Sequence, residues 1–159
     1  MMNAVELDCF ELKKAVKGAG TDEEALIEIL ASRSNKRIRK INETYKQMYS
    51  KSLEKDVSSD TSGEFRRLLV ILMQGQRPES SEANKKEIRA DAQALADAQT
   101  NRFKGDDAKF NELFADRSDT QLRLIFDEFA NSTGKPIGKT IQELLRIFFL
   151  FLNLSRRCN

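Results

Sequence analysis

Histidine is absent from the 159 residues. That removes the commonest general base and the commonest transition-metal ligand, so the chain reads as no enzyme and no zinc protein. Cysteine is scarce as well: Cys9 and Cys158 stand at opposite ends of the chain. Two such residues make no disulfide framework and fit a reducing compartment. Only two prolines interrupt the sequence, and 33% charged against 40% hydrophobic residues suits a soluble helical protein rather than a disordered one. A net charge of +2 is too small for a nucleic-acid partner, which needs a strongly basic face. The opening "MMNAVELDCF" has no basic stretch followed by a long apolar run. No signal peptide is expected, and the location that follows is cytoplasmic.

Helical periodicity fills the chain instead. Cys9, Leu12 and Val16 make one apolar stripe, and Leu26, Ile29, Leu30 and Arg33 mark a second helix. Ile38, Ile41, Tyr45 and Met48 mark a third, residues 52–58 a short fourth, and Phe65, Leu68, Leu69 and Leu72 a fifth. Thr21 with Glu24, and Thr61 with Glu64, each read as a capping box, in which hydroxyl and carboxylate satisfy orphan helix amides reciprocally. No strand alternation competes, so the fold class is all-α. The polar stretch "GQRPESSEANKKE" reads as a linker, placed at residues 76–87. Beyond it the pattern returns: "ASRSNKRIRKINETY" (31–45) lies over "ADRSDTQLRLIFDEF" (115–129). Ile38 falls on Leu122, Ile41 on Ile125 and Tyr45 on Phe129, so two similar helical units are expected.

Between the first two helices stands "KGAGTD", residues 17–22. A phosphate loop would need a lysine and then a serine or threonine after its last glycine, whereas Gly20 is followed by Thr21 and Asp22. An EF-hand is excluded too, since there is no acid-rich loop of about 12 residues. The residues alone leave a plain turn and a metal site open. The basic run Lys36, Arg37, Arg39 and Lys40 reads as a solvated helix face, with contact to anionic lipid as the alternative.

Residues 12–77 resemble a repeat of the annexin family, closest to its second repeat. Lys17-Gly18-Ala19-Gly20-Thr21-Asp22, Ser32-Arg33-Ser34 and Asp60-Thr61-Ser62-Gly63 carry the likeness. Residues 88 to 143 resemble the third repeat more loosely. The resemblance implies a five-helix repeat over residues 1–75 and a partial second repeat over 88–159. It also implies Ca2+ and calcium-dependent binding to acidic phospholipid membranes. The ligands it implies are the carbonyls of Val16, Gly18 and Gly20 and the carboxylate of Asp60, with a weaker second site at the Thr21 carbonyl and Glu23. Glycine suits such a loop because converging carbonyls need backbone angles that a β-carbon disfavours. Asp60 has a second role open to it, favouring the start of the following helix through its dipole.

The second unit departs from that pattern. Lys104 stands near the place of Gly20, Leu144 at the place of Asp60, and Gly105, Asp106 and Asp107 read as a turn and helix start. No strong calcium site is expected there. The tail "ELLRIFFLFLNLSRRCN" is apolar over residues 144–154, but with Arg146 inside it is short of the ~20 residues that span a bilayer. Uncovered apolar surface would favour self-association. The alternative function is a truncated helical interaction module with little or no calcium chemistry.

Overall fold

The computed structural model describes residues 1–100 and 107–134, with side chains for 1–97 and 111–134. The readings made of Lys104, Gly105, Asp106, Leu144, Cys158 and the apolar tail lie outside the described residues. Every regular element described is a helix. They run α1 (Ala4–Ala15), α2 (Glu23–Ser32), α3 (Asn35–Tyr49), α4 (Leu53–Asp60), α5 (Gly63–Met73), α6 (Lys85–Thr100), α7 (Asp107–Asp116) and α8 (Asp119–Thr133). The chain divides into two compact units, Met1–Arg77 and Pro78–Asn159.

In the first unit α1 packs on α2 and α3, while α5 receives α2 and α4. The stripes read from the sequence meet in the middle: Leu12, Leu26, Leu30, Ile38, Ile41, Tyr45, Phe65 and Leu69 are all buried. Each such side chain, taken fully out of water, stabilises the unit by ~1.5–3 kcal/mol. Three positions differ from the periodic reading. Met48 is exposed, and Val16 and Arg33 lie just past their helices as C-caps. In the second unit α6 packs on α7 and α8 around Ile88, Leu95, Leu113, Leu122, Ile125 and Phe129. The three repeat positions read from the sequence are thus core in both units.

Both expected capping boxes are absent. Helix α2 is capped by Asp22, whose carboxylate accepts from the Ala25 amide at 3.1 Å. Helix α5 starts behind Ser62, and the Thr61 hydroxyl turns back to the Val57 carbonyl at 2.7 Å. In each case the residue after the threonine takes the N-cap position, so the threonine stands one residue outside the helix start. Boxes do form at Asn3 with Glu6 and at Ser118 with Gln121. Helix α6 opens at Lys85, inside the stretch 76–87 read as linker, because the Asn84 side chain accepts from the Lys86 amide.

The exit from α5 is held against α3 by two side chains one turn apart on the same face. Asn35 donates to the Arg77 carbonyl at 2.7 Å and accepts from its amide at 3.0 Å; Arg39 donates to the Gly75 carbonyl at 2.6 Å. Gly75 has φ +58° there, and a β-carbon on it would stand 3.0 Å from the Asn35 carbonyl oxygen. Gly75→Ala is therefore expected to lower stability by about 1–3 kcal/mol through strain alone. A thermal melt matching the parent would contradict that packing.

Candidate functional site

The loop 16–22 leaves α1 and returns to it. After the C-cap Val16, Gly18 and Gly20 take φ of +114° and +111°. The Asp22 amide then donates back to the Ala15 carbonyl at 2.8 Å. A β-carbon on either glycine would meet nothing within 4 Å. Backbone angle, not space, is therefore what calls for glycine at both positions. Residues 17–20 are exposed.

Asp60 is the last residue of α4 and is half-buried. It lies two residues before Ser62, the cap of α5, so it does not cap that helix itself. Its partner comes from the loop. The Thr21 hydroxyl lies 2.7 Å from Asp60 Oδ2 and 2.9 Å from the Asp60 carbonyl oxygen, across 39 residues of sequence. The fold thus brings the end of α4 to the end of the glycine loop. Glu23 is the first residue of α2, next along the chain.

The residues present fit a hard cation. Gly18 and Gly20 hold positive φ, and the Asp60 carboxylate stands against Thr21 at the end of the loop. Calcium takes ~6–8 oxygen ligands in flexible geometry and does not require nitrogen or sulfur. Among the described residues no three acidic or cysteine side chains gather into a metal-binding group. A calcium ion held here would draw on main-chain oxygens and one acid.

Two charged clusters escaped the sequence reading. The buried Asp56 carboxylate accepts from Lys13 Nζ at 2.6 Å and Tyr45 Oη at 2.7 Å, and pairs with Lys51. Burial, the largest influence, works to raise its pKa; the bonds from Lys13, Lys51 and Tyr45 overcome it and hold the group down at about 2. The network ties α4 to α1 and α3, one turn before Asp60. Asp8 is buried on α1 between Arg33 at 2.9 Å and Arg37 at 2.7 Å. Burial opposes its ionisation, and the two guanidiniums outweigh burial and lower its pKa. The second unit repeats half of this arrangement in Asp91 with Arg117 at 2.7 Å, while Gln121 falls where Arg37 stands. A signal for both clusters was present: Leu53, Asp56 and Val57 share a helix face, as do Asp8 and Leu12. An acid inside an apolar stripe announces a buried partner.

The basic run of α3 is accordingly not a uniform solvated face. Arg37 is spent on Asp8 and Arg39 on the Gly75 carbonyl; Lys40 pairs with Glu43 at the surface. Cys9 is buried, and burial pushes its thiol up to about 11, so it carries no thiolate at neutral pH.

The annexin family model matches residues 8–72 and 90–146. The chain belongs to the annexin family. Human annexin A11 is 47% identical over 141 residues, covering 89% of this chain and 28% of the relative. Mouse annexin A3 is 44% identical over 135 residues, covering 85% and 42%. Among solved structures, chicken annexin V aligns with TM-score 0.79 at 34% identity, covering 96% of this chain and 51% of the other. This annexin chain therefore spans roughly a quarter to a half of the length of these relatives. Calcium-dependent binding to phospholipid is typical of annexins, which are generally not enzymes. Among the described residues no helix is long and apolar enough to cross a membrane.

Proposed function

We propose that this annexin chain binds acidic phospholipid membranes peripherally and in a calcium-dependent way, through the loop 16–20 and Asp60 of the first unit. The carbonyls of Val16, Gly18 and Gly20 and the Asp60 carboxylate would hold the ion; the Thr21 carbonyl and Glu23 would form a weaker second site. The observation that carries the reading is the approach of Thr21 to Asp60, which sets the acid beside the glycine loop. Bound calcium supplies open coordination positions that a lipid phosphate oxygen can enter. The protein's own part is to hold neutral carbonyls and one negative charge at an exposed surface. No strong site is expected of the second unit, since in the sequence register Leu144 falls at the position of Asp60.

One carboxylate and neutral carbonyls give a low charge count. Calcium alone is therefore expected to bind weakly, with Kd on the order of 10⁻⁴–10⁻³ M, the range of low-charge flexible sites. Phosphatidylserine vesicles should tighten it, and linkage requires calcium to tighten lipid binding by the same factor. Titration calorimetry with and without vesicles reads both arms. Submicromolar affinity without lipid, or an affinity indifferent to vesicles, contradicts the reading.

A further inference from the structure

We propose, building on the calcium reading above, that the Thr21 hydroxyl is the positioning group that holds the Asp60 carboxylate at the loop before any ion arrives. The main chain on each side of this bond is held by its own contacts. The main chain of Thr21 is set by Gly20 on one side and by the Asp22 amide bond to Ala15 on the other. A β-branched side chain has few rotamers, so the direction of its hydroxyl follows from that backbone. The main chain at Asp60 is fixed as well. The Thr61 hydroxyl closes the last turn of α4 on Val57, Arg66 Nε donates to the Thr61 carbonyl at 2.8 Å, and Asp56 anchors α4 one turn earlier.

Among the described residues, the Thr21 hydroxyl is the one hydrogen-bond donor to the Asp60 carboxylate. Asp60 is half-buried, so without that donor its carboxylate is free to turn to water. The cost of ordering it would then fall on ion binding. A carboxylate has about four lone-pair sites, and the one bond to Oδ2 leaves Oδ1 open to a cation. The hydroxyl therefore positions the acid without occupying it. This role is distinct from that of the Thr21 main-chain carbonyl in the weaker site, because a side-chain substitution leaves the carbonyl in place.

The test uses the full chain as parent, Thr21→Val, Thr21→Ala, Thr21→Ser and Asp60→Ala, each checked for helical circular dichroism. Calcium is titrated calorimetrically in the presence of phosphatidylserine vesicles. Outer partners of metal ligands are worth ~10–100-fold in metal affinity, so Thr21→Val and Thr21→Ala are expected to raise the calcium Kd by about tenfold. Thr21→Ser, which restores the hydroxyl, should stay within about threefold of the parent. A second readout needs no metal: in chelator, Thr21→Val should lower the melting temperature of the parent and have little effect on Asp60→Ala. Parent-like calcium affinity in Thr21→Val and Thr21→Ala, with binding lost in Asp60→Ala, overturns the positioning role and leaves the calcium site standing. An equal destabilisation by Thr21→Val in both backgrounds overturns it too. Parent-like affinity in Asp60→Ala overturns the calcium reading itself.

Discussion

Asp60→Ala is expected to abolish most calcium-dependent sedimentation with phosphatidylserine vesicles while leaving the helical circular dichroism unchanged. Asp60 is the single charged member of the proposed main set, against three neutral carbonyls. Its removal should cost more than the ~10–100-fold that a lost outer partner costs a metal site. The fold should survive, because Asp60 is half-exposed at the end of α4 and, among the described residues, its side chain is bonded to Thr21 alone. Neighbouring ties at Thr61 and Asp56 keep α4 in place without it. A variant that sediments with calcium as the parent does would remove Asp60 from the site.

A loss of folding, not of binding alone, is expected from Asp56→Ala. Breaking a buried ion pair by removing one partner costs ~3–5 kcal/mol because the other charge is left uncompensated. Lys13 and Lys51 are partly exposed and can reach water, which lowers the cost; the buried Tyr45 hydroxyl cannot, which raises it. The net expectation is about 3 kcal/mol, or a Tm lower by roughly 10–20 °C in a domain of this size. By contrast, Lys40→Ala should move stability by less than ~0.5 kcal/mol, since Lys40 and Glu43 pair in open solvent. Acid should reproduce the first effect. The folded pKa of Asp56 lies below its ordinary 3.8, at about 2. Its contribution is therefore complete above about pH 4 and is lost as pH falls through about 2. An Asp56→Ala melt within about 2 °C of the parent would show that the network contributes nothing.

The helices and the core were legible in the sequence because burial leaves a periodic trace. Ile38, Ile41 and Tyr45, and their repeat counterparts Leu122, Ile125 and Phe129, are buried in their own units as their spacing requires. The proposed main site comes from the resemblance alone, since no local pattern joins Gly18 to a residue at the far end of α4. The threonines show the limit most clearly. Thr21 and Thr61 carry the local signature of a capping box, yet Thr21 is drawn to Asp60 and Thr61 to Val57, leaving Asp22 and Ser62 as the caps. In each case the next residue takes the cap, and for Thr21 the partner lies 39 residues away, beyond any local signal. Arg37 and Arg39 tell the same story: their charge suggested solvent, while their partners, Asp8 and the Gly75 carbonyl, lie elsewhere in the chain.

Vesicle sedimentation of the unmodified chain tests the central claim most directly. Phosphatidylserine vesicles, phosphatidylcholine vesicles and buffer alone are each spun with millimolar calcium and with chelator. Sedimentation with phosphatidylserine in calcium, reversed by chelator and absent with phosphatidylcholine, is the result predicted here. Sedimentation equal in calcium and chelator, or none in either, would contradict it and leave the chain as a helical interaction module.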